Sequence, residues 1–281
     1  MKIQPGTKVL ITGAASGIGR ATALALGRRG AHLFLTDRNG PGLEETARLV
    51  SPPGKVLKYK PFDISSFEAV KAFADEIHSE SGPLDIIINN AGIALYALVE
   101  DMTHEHWRKI INVNLWGPIH GIECFLPEMI KAGKGHLVTV SSTSGLIGLP
   151  LHAAYAGTKF ALVGISEVLR YDLRMHNIDV TVVCPGAVDT PLQNTVEILG
   201  VDPNDPEVKA MKARFSRRTV TPERVADLIV RAVEKKQFLV ITSLDIKLLY
   251  FFKRFCFPVY HFIMIQLTKL LAEKFKEKVP K

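Results

Sequence analysis

The chain has 281 residues, of which 47% are hydrophobic and 22% charged, and its formal net charge is +7. This composition predicts a folded protein with a substantial core and excludes an extended disordered chain. A nucleic-acid partner is not expected, because the positive charge is concentrated in residues 241–281, where eight Lys and Arg stand against three acidic residues.

The sequence carries no export signal that we recognise. Residues 1–13 enter a strand pattern at once and lack the apolar segment of a secretory signal. Cys124, Cys184 and Cys256 are odd in number and widely separated, which indicates neither a disulfide framework nor a zinc site. We therefore expect a metal-free protein on the cytoplasmic side, soluble or at a membrane surface, and not secreted.

Short apolar runs alternate with helical patterns along most of the chain, which is typical of βαβ units and a parallel sheet. Hydroxyl side chains that cap helix starts precede two of the helical patterns, at Ser65–Ser66 and at Thr103. Strands are predicted at 8–11, 32–36, 55–60, 85–88, 136–140, 180–183 and 238–242, and helices at 17–29, 43–50, 66–78, 103–131, 154–176 and 222–234.

The predicted fold is α/β, a doubly wound parallel sheet of about seven strands with a C-terminal helical extension. Residues 1–243 form the main domain in this interpretation, and residues 244–281 form a basic amphipathic tail. The stretch 191–220 is rich in Pro, Asp, Asn and Arg and breaks the βα rhythm. We interpret it as a lid over a substrate site, because long loops in compact domains are often functional.

A glycine-rich turn, TGAASGIG at 12–19, follows the first predicted strand and opens a helix. In that position the backbone can approach a pyrophosphate, whose charge is stabilised by the helix N-terminus. The residues of this predicted dinucleotide site are Gly13, Ser16, Gly17, Ile18 and Gly19.

Asp37 ends the second predicted strand, about 20 residues beyond the glycines, where an acid accepts hydrogen bonds from the adenosine ribose hydroxyls. This favours NAD. Arg38 follows directly and would instead suit the 2′-phosphate of NADP, which leaves NADP as the alternative cofactor.

Tyr155 and Lys159 lie four residues apart on a predicted helix, so their side chains share one face. A neighbouring ammonium is expected to lower the pKa of the phenol, which would then act as acid or base at an alcohol or ketone. Ser142, at the end of a predicted strand, would hold the substrate oxygen. A serine nucleophile is the rival interpretation, but no G-x-S-x-G motif surrounds Ser142.

Together these motifs resemble the short-chain dehydrogenases/reductases of the single-domain, Rossmann-fold type. They stand here as residues 12–19, Asp63, NNAG at 89–92, Asn114, Ser142, YAGTK at 155–159 and PGAVDT at 185–190. The resemblance implies that Asn114, Ser142, Tyr155 and Lys159 are catalytic, with Asn114 holding a water that relays the proton from Lys159. From the residues alone, Asn114 is equally a polar residue bonded to backbone.

The resemblance also implies the rest of the cofactor site and a homodimer or homotetramer. Asp63 and Ile64 would lie beside the adenine, and Asn90, Ala91 and Gly92 beside the ribose and nicotinamide. Tyr155 and Lys159 would also contact the cofactor. The remaining nicotinamide contacts would be Pro185, Gly186, Val188 and Thr190.

The segments expected to wall the substrate pocket, 93–96, 146–151 and 191–199, are mostly apolar. They favour a hydrophobic alcohol or ketone such as a steroid, a retinoid or a long-chain alcohol, bound by Ser142, Leu149 and Tyr155. His152 is interpreted as a polar residue at the pocket rim.

The sequence thus predicts an NAD(P)-dependent oxidoreductase that transfers a hydride between this alcohol and its carbonyl form. An NADPH-dependent ketone or 3-oxoacyl reductase is a close alternative. A catalytically silent, nucleotide-binding scaffold at a membrane is an alternative of another class.

The tail contains an aromatic run, 255–265, that is too short to span a bilayer. We expect two short helices divided by Pro258. Two interpretations stay open: an interfacial anchor whose cations meet anionic lipid, or apolar packing against the domain, against a sister subunit or over the mouth of the substrate site.

Overall fold

The computed structural model describes residues 1–194, 196–199 and 219–276. Seven parallel strands form one sheet in the order β3-β2-β1-β4-β6-β7-β9, with helices on both faces. The predicted doubly wound α/β fold is therefore confirmed. The strands of this sheet are β1 (Lys8–Thr12), β2 (His32–Asp37), β3 (Lys55–Pro61), β4 (Ile86–Asn89), β6 (Gly135–Val140), β7 (Ile178–Cys184) and β9 (Leu239–Ile241).

The helices that cover the sheet agree closely with the predicted ones. Ser66 and Thr103 each accept a hydrogen bond from a backbone N–H of the first turn, of Ala69 and His106 respectively, so both predicted caps are confirmed. The helices are α1 (Gly17–Gly27), α2 (Gly40–Leu49), α3 (Phe67–Ser81), α4 (His104–Ile111), α5 (Gly117–Ala132), α6 (Ala153–Asp172), α7 (Pro191–Asn194) and α8 (Pro222–Lys235).

Successive side chains of β1 point to opposite faces of the sheet, so the core has two layers. Val9 and Ile11 pack on the side of α1 and α8, whereas Leu10 packs on the side of α3 and α5. Successive strand residues point to opposite faces, so a sheet covered on both sides needs apolar residues at every position. Burial of each such side chain contributes about 1.5–3 kcal/mol to the stability of the sheet.

The structure differs from the sequence prediction at the long helix 103–131. A π-helical turn at Asn112–Trp116 separates α4 from α5. Such turns occur frequently at functional sites, because the extra residue re-aims nearby side chains. The 3.6-residue pattern does not reveal this insertion, which places Asn114 in the interior.

A second, two-stranded parallel sheet was also not predicted. It joins β5 (Leu95–Tyr96) to β8 (Glu197–Ile198), and so connects the segment after β4 to the start of the stretch interpreted as a lid. The predicted lid itself falls mainly on residues 200–218, outside the described residues. An isolated bridge between Val188 and Val220 joins the two ends of this stretch.

The tail forms two helices, α9 (Leu244–Phe255) and α10 (Phe257–Lys276). The break lies at Cys256, and Pro258 sits in the first turn of α10, where proline is tolerated because its missing N–H has no intrahelical partner. The prediction of two short helices divided by Pro258 was therefore wrong in the position of the break and in the length of α10, which has 20 residues. Within the described part of the chain, no helix is long and apolar enough to cross a membrane.

Candidate active site

The glycine turn between β1 and α1 packs tightly against neighbouring backbone atoms. Gly13 has a φ of +69°, and a Cβ there would lie 2.7 Å from the Cα of Ala91. Gly19 faces the carbonyl oxygen of Gly13 so closely that a Cβ would overlap it. Only glycine fits these two positions, and the turn leaves bare backbone at the N-terminus of α1, where a pyrophosphate is stabilised.

Thr12 ties this turn to the end of β4. Its hydroxyl accepts hydrogen bonds from the backbone N–H of Asn90 and of Ala91, each at 3.0 Å. The Asn90 amide donates in return to the carbonyl oxygen of Thr12 at 2.9 Å and of Gly13 at 3.2 Å. Thr12 was not predicted as a site residue. A hydroxyl at the end of a strand, directly before a glycine turn, is nevertheless a feature of the sequence that could have indicated this role.

Asp37 has a second role beside the predicted ribose contact. One carboxylate oxygen accepts a hydrogen bond from the N–H of Ala15 at 3.0 Å, and the other from the N–H of Asn39 at 2.9 Å. The carboxylate therefore fixes the glycine turn against the end of β2 while holding a negative charge beside it. Arg38 is exposed at the same edge.

The other predicted cofactor residues line the same edge of the sheet. Ile64 is buried and Asp63 exposed after β3. Pro185 accepts a hydrogen bond from the N–H of Thr143, and Gly186 donates to the Thr242 hydroxyl at 3.0 Å. Val188 is buried, and a Cβ on Gly17 would lie 2.9 Å from a side-chain carbon of Thr190.

Ser142, Tyr155 and Lys159 are brought together at the carboxyl end of β6. The Lys159 ammonium lies 5.7 Å from the centre of the Tyr155 ring and donates to the carbonyl oxygen of Val140 at 3.1 Å. Ser142 accepts a hydrogen bond from the N–H of Ser144, and its side chain acts on the Tyr155 phenol to lower the pKa of that group. Tyr155 and Lys159 are 7% and 4% exposed.

The expectation that Lys159 lowers the pKa of Tyr155 is not met. Burial raises the pKa of Tyr155, and the hydrogen bond with Ser142 opposes only part of that rise. Burial also lowers the pKa of Lys159 from 10.5 to about 8. The physical reason is that both groups lose water, while the ammonium is directed at the Val140 carbonyl oxygen rather than at the phenol oxygen.

Asn114 makes a paired contact with one backbone unit. Its side-chain oxygen accepts from the N–H of Ile93, and its amide donates to the carbonyl oxygen of Ile93, both at 2.8 Å. A Cβ at Gly92 would lie 3.2 Å from the Asn114 oxygen and 3.5 Å from the Lys159 nitrogen. Asn114 thus positions the strand end beside Lys159. A water at its side chain would have to use the second amide hydrogen or the second lone pair.

The wall beside Tyr155 is apolar and aromatic. Ala94, Leu95 and Ala154 form a buried cluster with Tyr155, and the partly buried residues around it include Ile93, Tyr96, Val196 and Leu199. Leu149 packs in a separate cluster with Leu146 and Ile147. Residues of two predicted wall segments, 93–96 and 191–199, therefore meet beside Tyr155, whereas the apolar residues of 146–151 pack in the second cluster.

His152 belongs to this wall. Its ring lies 3.9 Å from that of Tyr96, centre to centre, and its Nδ1 lies 2.7 Å from the carbonyl oxygen of Pro150. Burial lowers the pKa of His152, so the ring is neutral at pH 7. Tyr96 lies at the end of the predicted wall segment 93–96, but its contact with Tyr155, 5.9 Å between ring centres, could not be predicted from its local pattern.

Comparison with known proteins identifies the family of the chain. The model of the family described as short chain dehydrogenase matches residues 7–198. A putative oxidoreductase, SadH, from Mycobacterium tuberculosis is 38% identical over 246 residues, which are 86% of this chain and 88% of that protein. Dehydrogenase/reductase SDR family member 7B from Xenopus tropicalis is 34% identical over 243 residues, covering 84% and 77% of the two chains.

Solved structures of dehydrogenases are also similar to this chain. A short chain dehydrogenase/reductase from Burkholderia phymatum in complex with NAD superimposes with a TM-score of 0.81 at 25% identity, covering 92% of this chain and 96% of that one. An alcohol dehydrogenase from Thermococcus sibiricus complexed with 5-hydroxy-NADP has a TM-score of 0.70 at 25% identity, over 84% and 95% of the chains. The chain belongs to the short-chain dehydrogenase/reductase family of oxidoreductases.

Proposed function

We propose that this protein is an NAD-dependent dehydrogenase that interconverts a hydrophobic secondary or long-chain alcohol, such as a steroid, a retinoid or a lipid-like alcohol, and its carbonyl form. The observation that carries the proposal is the cluster of Ser142, Tyr155 and Lys159, with an apolar wall beside Tyr155 and, at the same edge of the sheet, a glycine turn that leaves backbone bare at the N-terminus of α1. The two sides fit a dinucleotide and a lipophilic substrate respectively.

The three side chains of this cluster have separate roles. The Ser142 hydroxyl holds the substrate oxygen, and Tyr155 takes its proton during oxidation or returns it during reduction. Lys159, buried beneath the tyrosine ring, supplies a positive charge that stabilises the phenolate once the site is occupied. The nicotinamide, when bound, accepts or supplies the hydride.

The apolar wall defines the substrate class. Among the described residues, the clusters around Tyr155 and Leu149 contain aliphatic, aromatic and sulfur-containing side chains, and the neutral ring of His152 lies beside that of Tyr155. A sugar or a dicarboxylate would lose hydrogen bonds to water here without replacement. We therefore expect turnover to increase with the apolar surface of the alcohol.

A substrate panel tests this function. Formation of reduced nicotinamide is followed by absorbance with steroid alcohols, retinol, straight-chain alcohols of increasing length, and a sugar and a hydroxy-dicarboxylate as polar controls. The expected result is the highest kcat/KM with a lipophilic alcohol. Turnover confined to the polar controls would overturn the substrate class, and no turnover of any alcohol or ketone would overturn the activity.

Replacing Asp37 by asparagine tests the choice of NAD. The carboxylate repels the 2′-phosphate of NADP, so removal of its charge should move the ratio of kcat/KM for NAD and NADP at least about tenfold toward NADP. Asparagine has one carbonyl oxygen for the two N–H groups that Asp37 now satisfies, and we expect a loss of about 1 kcal/mol of stability.

Arg38→Ala is the matched control for the Asp37 variant. It should weaken NADP use further and leave NAD use unchanged, because only the phosphate would need this cation. Kinetics with both cofactors in all three proteins measure the ratio. An unchanged ratio in Asp37→Asn would contradict the role of Asp37 in selecting NAD.

A further inference from the structure

The tail helix α9 carries two apolar stripes, and only one of them is needed to hold it in place. The inner stripe, Ile246, Leu249 and Tyr250, packs in one cluster with Leu146 and Leu149. These residues are spaced three and four apart, so they share one face of the helix.

A basic side chain fixes the orientation of this helix. The Lys253 ammonium donates to the carbonyl oxygen of Leu146 at 2.6 Å and lies 4.5 Å from the centre of the Phe160 ring. Packing and this contact together determine which residues of α9 point outward.

The outer stripe of α9 consists of Leu244, Leu248, Phe251 and Phe255, again at helical spacing. These side chains are 71%, 51%, 53% and 72% exposed. On α10 the exposed apolar side chains are Phe257, Val259, Phe262, Ile263 and Ile265. We call these nine residues the tail face.

Cations accompany the tail face. Lys247 and Arg254 are exposed on α9, and Lys269 on α10, in the segment that holds most of the excess positive charge of the chain. Exposed aromatic rings beside Lys and Arg are the composition of helices that lie in the interface of a bilayer. Anionic headgroups would neutralise these cations, at about fivefold in affinity per cation.

A second copy of the chain fits the tail face less well. A twofold interface places the same patch against itself and would bring the cations of one copy near those of the other, without acidic partners of similar number in residues 241–281. An anionic surface has the complementary charge. Charge therefore favours lipid over self-association.

We propose that the tail face docks the protein onto an anionic lipid bilayer, with α9 and α10 lying in the interface plane and spanning nothing. The proposal is independent of the substrate: it rests on the exposed rings and the cations alone. The inner stripe packs on the loop that follows Ser142, so docking would bring that loop close to the lipid surface.

Vesicle flotation with the full-length protein tests the proposal. Phosphatidylcholine vesicles with and without phosphatidylserine are the probes. We expect the protein to float with the phosphatidylserine vesicles, and binding to weaken as salt is raised. Phe251→Ser combined with Phe255→Ser, and Lys247→Glu combined with Arg254→Glu, should each reduce the bound fraction at least about tenfold.

The control is Leu49→Ser combined with Met175→Ser, which removes two exposed apolar side chains far from the tail in sequence and should bind as the wild type does. Thermal melting of each variant shows that it is folded. Absence of flotation with anionic vesicles, or equal flotation of the wild type and the double Phe variant, would overturn the proposal. Dissociation of an oligomer by the Phe variant without any vesicle binding would assign the tail face to a second copy instead.

Discussion

Replacement of Tyr155 by phenylalanine is expected to lower kcat by at least about a hundredfold, within the range of 10² to 10⁴ that positioned proton transfer supplies. The change removes the oxygen that takes or gives the proton and keeps the ring, which packs with Ala154 and Leu95. The fold and the glycine turn should therefore be unaffected, and the affinity for NAD nearly so. Steady-state kinetics and calorimetric titration of NAD separate the two effects.

Ser142→Ala is the companion variant, since it removes the hydrogen bond to Tyr155 but leaves the phenol. We expect a smaller loss of kcat than in Tyr155→Phe. Retention of more than about a tenth of kcat in Tyr155→Phe would contradict the assignment of Tyr155 as the acid or base.

The direction of the pKa shift of Tyr155 gives this prediction a pH dependence. Burial raises the pKa of the phenol, so the phenolate needed for alcohol oxidation is a minor form at neutral pH. The oxidation rate should increase with pH, whereas carbonyl reduction, which needs the protonated phenol, should decrease. The Tyr155→Phe variant should lose both slopes.

The sheet and the motif positions could be predicted from the sequence because they depend on local patterns. Uninterrupted runs such as Ile86–Asn89 are characteristic of strands buried on both faces, and a sheet of parallel strands places all their carboxyl ends at one edge. The residues at those ends, among them Ser142 and Gly92, therefore had to be neighbours.

What the sequence did not predict depends on contacts between distant segments. The pairing of Leu95–Tyr96 with Glu197–Ile198 involves two residues on each side, too few for a periodic signal. The ring contact of Tyr96 with His152, tilted by 32°, likewise joins two segments that are distant in the sequence. The pKa of Tyr155 was predicted in the wrong direction, because spacing along a helix shows proximity to Lys159 but gives neither burial nor the direction of the ammonium.

The tail shows both what could be predicted from the sequence and what could not. Its helical patterns and its charge were readable, and the structure shows that one apolar stripe packs on the domain, as one of the two interpretations required. A single-sequence pattern does not show that a second stripe remains exposed, since that depends on where Leu146 and Phe160 lie. The packing interpretation therefore applies to the inner face of α9, and the anchor interpretation is our proposal for its outer face.

Replacement of Lys159 by methionine is expected to lower kcat/KM at least about a hundredfold, because the phenolate loses its stabilising charge in a site of low dielectric. Methionine has a similar length and is apolar, so the buried position stays filled. Lys159→Arg is the matched control: it keeps the charge, but its larger planar head does not fit the space beside Gly92 equally well. We expect Lys159→Arg to retain more activity than Lys159→Met. Equal loss in both would indicate that shape, not charge, is the requirement.

The same variant should change the pH dependence of stability. A pKa of about 8 in the folded chain, against 10.5 for the unfolded one, means that the unfolded state binds more protons between these two pH values. The free energy of unfolding of the wild type should therefore increase with pH across this window relative to that of Lys159→Met, by about 3 kcal/mol in total. Denaturant unfolding of both proteins from pH 7 to pH 10.5 measures this difference, in which the titrations of all other groups largely cancel. Parallel curves would mean that the folded chain does not disfavour the ammonium. The predicted divergence would show that the charge beneath Tyr155 is maintained at a cost in stability, as expected for a group whose contribution lies in catalysis rather than in folding.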